Sequence, residues 1–185
     1  MGFHTFDPGE ADRLNDPTVR YRYLSEEELL SLVDPSPDAT VADLGSGTGF
    51  YTESVAVSAG DVYAVDVQSQ MHDRYHQRGM QSNVTPVTAG IGDLPLQDDE
   101  LDGAFAVNTY HEFAGDGAMH EVSRVLRPGG RMVIVDWSSR GLGEMGPPTD
   151  QRYDLAAACE HLGDAGLQIR RARERRETFV VVAHS

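Results

Sequence analysis

Lysine is absent from this chain. All 15 basic residues are arginines, set against 30 aspartates and glutamates in 185 residues, and the formal net charge is −15. Without lysine there is no Schiff-base chemistry on the protein and no lysine-bearing phosphate loop. The sign of the charge argues against sequence-independent nucleic-acid binding, which depends on basic side chains neutralising phosphates. The single cysteine, Cys159, excludes an internal disulfide, and its place after Ala156, Ala157 and Ala158 reads as small-residue packing. No apolar run approaches the roughly 18 residues that a membrane-spanning helix needs. The first residues, MGFHTFDPGEADR, hold neither a basic region nor an apolar core, so a cytoplasmic protein with no membrane partner is expected. His4, His72, His76, His120, His161 and His184 lack ligand-like spacing, so no metal site is expected. An acidic surface without lysine suits solubility in concentrated salt, where screening removes self-repulsion, and a halophilic protein is expected.

What is present is organised around residues 40–52, TVADLGSGTGFYT. Val41, Ala42 and Leu44 make a short apolar strand interrupted by Asp43. Gly45, Gly47 and Gly49 then form a bare-backbone turn, and Phe50 and Tyr51 open a helix. Such a turn lets the main chain approach a ligand closely while the first amides of the helix present donors. Upstream, Ser25 and Glu28 have capping-box spacing, and Leu29, Leu30, Leu32 and Val33 supply the apolar side of a helix that Pro35 stops. Downstream, the pattern predicts a helix over 50–59, a strand over 61–66, a helix over 67–78 and a strand over 84–89. A fourth strand over 104–107, a helix over 115–126, a turn at 127–130 and a fifth strand over 132–135 follow. A Gly- and Pro-rich loop over 138–149, a helix over 150–165 and two β-like runs, 167–172 and 178–183, complete the order. This is a single domain over 1–185 of α/β class, a doubly wound Rossmann-like seven-stranded sheet, mostly parallel with a C-terminal antiparallel hairpin. The aromatic-rich arm over 1–24 is expected to dock on the domain and cover the ligand. The run Arg170, Arg171, Arg173, Arg175 and Arg176, interleaved with Glu174 and Glu177, reads as a solvated hairpin turn.

In an open α/β sheet the ligand lies beyond the carboxyl ends of the strands. Those ends carry Asp43, Asp66, Asn108 with Thr109, Tyr110, His111 and Glu112, and Asp136 with Trp137; the loop after the third strand carries Asp93. Asp66 follows Gly49 by 17 positions (66 − 49), a spacing at which a carboxylate accepts both hydroxyls of a ribose. That spacing serves dinucleotides and S-adenosylmethionine alike. The dinucleotide fingerprint G-x-G-x-x-G fails when read from Gly45, because Phe50 stands where the third glycine is needed. A nicotinamide-dependent oxidoreductase is thereby disfavoured, and Asp93 suits an adenine amino group. A non-catalytic domain binding S-adenosylmethionine or S-adenosylhomocysteine stands as the second alternative.

Together these motifs resemble class I S-adenosylmethionine-dependent methyltransferases. VADLGSGTGFYT is similar to the family's first motif, VYAVDVQSQM to its acidic ribose loop, GDLPLQDDELDGAF to its adenine loop and fourth strand, and LRPGGRMVIVDW to its turn into the fifth strand. NTYHEF, VDW and EMGPP further resemble a small prokaryotic group related to the ubiquinone/menaquinone-biosynthesis (UbiE-like) type. The resemblance implies S-adenosyl-L-methionine as methyl donor and S-adenosyl-L-homocysteine as product. It places Gly45, Ser46, Gly47 and Gly49 under the methionine part, Asp43 toward its amino group, and Asp66 on the ribose. Val67 and Met71 would flank the adenine, Asp93 and Leu94 would hold its edge, and Asn108 would face the reacting centre. The family's NPPY-like sequence is replaced here by Asn108, Thr109, Tyr110 and His111, which disfavours adenine or amide N-methylation. The expected reaction is in-line transfer of the methyl to a small-molecule acceptor, by a monomer or homodimer. If the acceptor must lose a proton, His111 is the first candidate base, with Tyr110 or Glu112 as helper. The acceptor is expected to sit between the arm, residues 110–112 and residues 145–148.

Overall fold

The computed structural model describes residues 14–115 and 117–185. The outer arm, with Phe3, His4 and Phe6, lies outside the described residues. The described arm holds one turn of helix, α1 (Pro17–Arg20), which starts with proline at its first position and Asp16 accepting from the Thr18 amide. Helix α2 (Glu26–Val33) is capped by the Ser25 hydroxyl, which accepts from the Glu28 amide, and ends at Asp34 in the left-handed region. The sheet is built from β1 (Thr40–Leu44), β2 (Asp61–Asp66), β3 (Val84–Thr88), β4 (Leu101–Val107), β5 (Leu126–Trp137), β6 (Gln168–Glu174) and β7 (Thr178–His184). Between the strands lie α3 (Phe50–Ala56), α4 (Ser69–Arg78), α5 (Tyr110–Phe113), α6 (Ala118–Val125) and α7 (Leu155–Asp164).

The seven strands take the order β3-β2-β1-β4-β5-β7-β6. The first five are parallel, β7 runs antiparallel to β5, and β6 antiparallel to β7. This is the expected seven-stranded doubly wound sheet with its terminal hairpin. Period-two alternation divides the core into two layers. Val41, Phe105, Val133, Val135, Val180 and Val182 join Leu29, Tyr51, Val55 and Tyr75 on one face. Ala42, Ala104, Ala106, Met132, Ile134 and Val181 join Met119, Val122, Ala158 and Leu162 on the other.

Some boundaries differ from the sequence pattern. The turn expected at residues 127–130 lies inside β5 as a bulge: Leu126 pairs with Leu101 and Arg131 with Gly103, so the residues between loop out of register. The Ser185 backbone pins it, its carbonyl accepting from Gly129 and its amide donating to Gly130. The helix expected over 150–165 splits into a short 3-10 turn, Thr149–Gln151, and α7, because Asp154 caps the latter by accepting from the Ala157 amide. Among the described residues no helix is long and apolar enough to cross a membrane.

Candidate active site

The reversal of strand order between β1 and β4 opens a crevice at the carboxyl ends of the strands. A cavity of about 470 Å³ occupies it. Its floor is the turn after β1, where Gly45, Ser46, Gly47 and Thr48 face the space. Gly45 and Ser46 donate their amides to the Val65 carbonyl at 2.8 and 2.9 Å, which binds the turn to the end of β2. Gly47, at φ +53°, has among the described residues only the Leu14 side chain within 4 Å of where a Cβ would stand, which leaves its backbone open to a ligand on that side. Gly49 serves a different purpose. At φ +80° it starts α3, and a Cβ there would come within 2.4 Å of the Tyr75 ring, so this glycine is demanded by helix packing and does not line the cavity.

Asp66 lies on the cavity wall beside Val67, Gln68 and Met71. Its carboxylate accepts from the Gly47 amide at 2.9 Å and from the Gln68 amide at 2.9 Å, so the acidic side chain and the glycine turn hold each other in place. Asp43 lies behind the floor, 3 % exposed, and accepts from the Thr52 hydroxyl at 2.6 Å. Burial pushes its carboxyl up to about 7, against the opposing pull of Thr52 and Arg20. Beyond β3, Gly90, Ile91 and Gly92 line the cavity. Asp93 is exposed next to them and Leu94 is buried in the core, both outside the lining.

The end of β4 supplies the opposite wall. Asn108 adopts φ +60°, a left-handed conformation that few residues other than glycine take, and its Oδ1 is buried without a hydrogen-bond partner. Ser46 Oγ is likewise buried and unpartnered. Buried polar atoms without partners are costly, and both of these belong to residues that line the cavity. Thr109 and Glu112 also line the space, with Phe113 and Ala118 adding apolar surface.

His111 and Glu112 part company at α5. Glu112 faces the cavity, whereas the His111 side chain, 11 % exposed, turns toward β5. Its Nδ1 lies 3.0 Å from Asp136 Oδ2, and Asp136 also accepts from the His111 amide at 2.6 Å and the Trp137 amide at 2.8 Å. Nε2 lies 3.9 Å from Glu112 Oε1, completing a line Asp136, His111, Glu112 that ends at the cavity. Burial works against the imidazolium, but the Asp136 charge and hydrogen bond, joined by Glu112, raise His111 above its ordinary value. Burial also raises Glu112, to about 7, with His111 opposing and Asp66 and Asp136 adding to the rise. Tyr110 is fully buried and outside the cavity. Its hydroxyl lies 2.6 Å from His161 Nδ1, among Phe113, Tyr153 and Phe179, and burial pushes its pKa upward. Residues 145–148 are also absent from the lining. Arg152 ties them to the sheet by donating to the Pro147 and Met145 carbonyls at 2.7 and 2.5 Å, while Gly146 packs against the Trp137 ring.

The sequence pattern passed over Leu14, Arg20, Ile91 and Phe113 as lining residues. The first two come from the irregular arm, where only the Asp16–Pro17 start signal hinted at local order. Among the described residues no cluster of three or more potential ligands could hold a metal ion.

Comparisons with known proteins bear on the family and the fold. Residues 42–134 match the methyltransferase domain family. A methyltransferase-like protein of uncharacterised function from Schizosaccharomyces pombe is 33 % identical over 132 residues, 71 % of this chain and 48 % of the relative. The ubiquinone/menaquinone biosynthesis C-methyltransferase of Vibrio campbellii is 32 % identical over 112 residues, 55 % of this chain and 42 % of that protein. The chain thus spans about half the length of the curated relatives it matches. The crystal structure of a SAM-dependent methyltransferase from Aquifex aeolicus superposes with a TM-score of 0.87 at 29 % identity, covering 97 % of this chain and 99 % of that one. The chain belongs to the class I S-adenosylmethionine-dependent methyltransferases.

Proposed function

We propose that this protein transfers a methyl group from S-adenosylmethionine to a small-molecule acceptor, and that it works in concentrated salt. The observation that carries the reading is one cavity at the switch point, walled by the glycine turn, Asp66 and Asn108, with Asp66 accepting from the Gly47 amide. A donor with an aminoacyl end, a ribose and an adenine fits these walls. Gly45, Ser46, Gly47 and Asn108 would hold the aminoacyl end, and Asp66 the ribose. Val67, Met71 and the Ile91–Gly92 backbone would hold the adenine, with Asp93 and Leu94 steadying that loop from outside. When bound, S-adenosylmethionine supplies an electrophilic methyl on a positively charged sulfur.

The chain's own contribution is alignment and, for an acceptor that carries a proton, its removal. We assign that contact to Glu112, which lines the cavity, with His111 as its partner held in orientation by Asp136. A carboxyl near 7 is poised to take a proton at neutral pH. Phe113 and Ala118 keep the same wall apolar and exclude water. The acceptor space is small and partly apolar, which favours a small molecule over a polymer. The test is formation of S-adenosylhomocysteine in concentrated KCl against a panel of phenolic, amine, thiol and enolate acceptors. Turnover of one class is expected. Tight donor binding without turnover across the panel would favour a non-catalytic binding domain.

A further inference from the structure

The charged side chains of the cavity are divided by sign. Among the described lining residues Arg20 is the only base, and it sits against the start of α3, its guanidinium carbon 4.7 Å from the Tyr51 ring centroid and 5.6 Å from that of Phe50. The other charged lining residues are Asp66 and Glu112. Asp66 is engaged by the Gly47 and Gln68 amides. Glu112 is not engaged in this way: among the described residues no group donates a hydrogen bond to its carboxylate, and the one cationic group within 4.0 Å is His111 Nε2, at 3.9 Å. The charges that act on Glu112 come from three elements, His111 beside it on α5, Asp66 at the end of β2 and Asp136 at the end of β5. Asp136 and a protonated His111 cancel as a bonded pair, so Asp66 and Glu112 leave this part of the cavity negative. Arg152, whose charge also reaches His111, is committed to the Ser138, Met145 and Pro147 carbonyls.

The neutral groups on this wall have the same sense. Thr109 lines the cavity with its hydroxyl hydrogen spent on the Leu44 carbonyl at 2.8 Å, which leaves it only lone pairs to offer. Phe113 and Ala118 complete the wall with apolar surface. Negative charge and hydrogen-bond acceptors repel carboxylates and phosphates, and they suit a group that brings N–H donors and a positive charge. We propose that the methyl acceptor is an amine, which enters as its ammonium form with an apolar body against Phe113 and Ala118 and hands its proton to Glu112. This rests on the S-adenosylmethionine reading of the cavity and on Glu112 as the proton acceptor. An N–H bond breaks with its pair left on nitrogen, and the proton forms an O–H bond on the Glu112 carboxylate. The nitrogen pair then forms the bond to the methyl carbon as the carbon–sulfur bond breaks with its electrons on sulfur. Positive charge passes from sulfur to the methylated ammonium, and neutral S-adenosylhomocysteine remains. A sulfonium beside the ammonium favours loss of its proton, and burial of Glu112 favours the uptake.

Benzylamine, benzyl alcohol and benzoate share one apolar body and differ in charge and in hydrogen-bond donors. The full chain is first saturated with S-adenosylhomocysteine in concentrated KCl at pH 8, and each probe is then titrated in while the amide signals of Thr109, Glu112 and Phe113 are followed by NMR. Salt screens charges inside a cavity less than at a surface, so a charge-assisted contact predicts that benzylamine binds at least about 10-fold more tightly than either other probe. Glu112→Gln should shrink that preference to within about 3-fold by weakening benzylamine alone. The wild-type preference needs no variant, so it decides even where Glu112→Gln fails to fold. Equal binding of amine and alcohol, tighter binding of benzoate, or no saturable shift from any probe at millimolar concentration overturns the amine proposal while leaving the donor site standing. A preference that survives Glu112→Gln also overturns it. Failure of S-adenosylhomocysteine to bind in the first step overturns the donor reading itself.

Discussion

At the residue scale the site turns on one helical step. His111 and Glu112 are neighbours in sequence, yet they point about 100° apart around a helix axis, so only one of them faces the cavity. Sequence alone offered both residues and the right segment, but assigning the facing side chain requires knowing that α5 starts at Tyr110. A four-residue helix has no period from which to read that start. The same helix buries Tyr110, whose aromatic neighbours come from distant segments, Tyr153, His161 and Phe179. Asp66 and Asn108 were legible because strand ends are, and the strained backbone of Asn108 was not.

The raised carboxyl of Glu112 has a consequence for stability whose sign can be worked out. A carboxyl whose folded pKa lies above its unfolded value near 4.5 contributes its stability below that value and loses it as pH rises through about 7. Above that, the fold carries a desolvated charge with only a long contact to His111. Glu112→Gln removes the cost, so thermal unfolding followed by circular dichroism should show stabilisation on the order of 1–3 kcal/mol at pH 8. The gain should fall below about 1 kcal/mol at pH 5. A gain independent of pH would mean that ionisation is not its source.

At the scale of elements, most of the strands could be read because alternation and β-branched runs coincide, as in β5 and β7, where Val133 and Val135 face one layer and Met132 and Ile134 the other. The bulge at residues 127–130 was read as a turn because Pro128, Gly129 and Gly130 signal chain reversal locally, whereas pairing of Leu126 with Leu101 is a tertiary fact. The glycine turn was legible as a unit, and its division of labour was not. Gly47 leaves backbone open, while Gly49 makes room for Tyr75 on α4. Gly49→Ala combines a left-handed backbone with a ring clash, so urea unfolding should show a loss of about 2–5 kcal/mol. An effect below about 1 kcal/mol would show that α4 yields easily at this contact.

At the scale of the whole molecule, the sheet order brings residues from four strand ends and the arm to one crevice, although they are spread from Leu14 to Ala118 in the chain. The fold was legible because strand, helix and turn signals alternate in one consistent order. Cavity walls drawn from the arm and from short loops were less so, since their shape depends on docking. The net charge of −15 bears on solution behaviour more than on fold, and it recommends concentrated KCl for any binding measurement. The most direct measurement is an amide NMR titration of the wild-type chain with S-adenosylhomocysteine under those conditions. Saturable shifts are predicted at Gly47, Asp66, Gln68, Ile91 and Asn108, with the β6–β7 hairpin unmoved. Shifts confined to other surfaces, or none at millimolar ligand, would contradict the assignment of this cavity to the methyl donor.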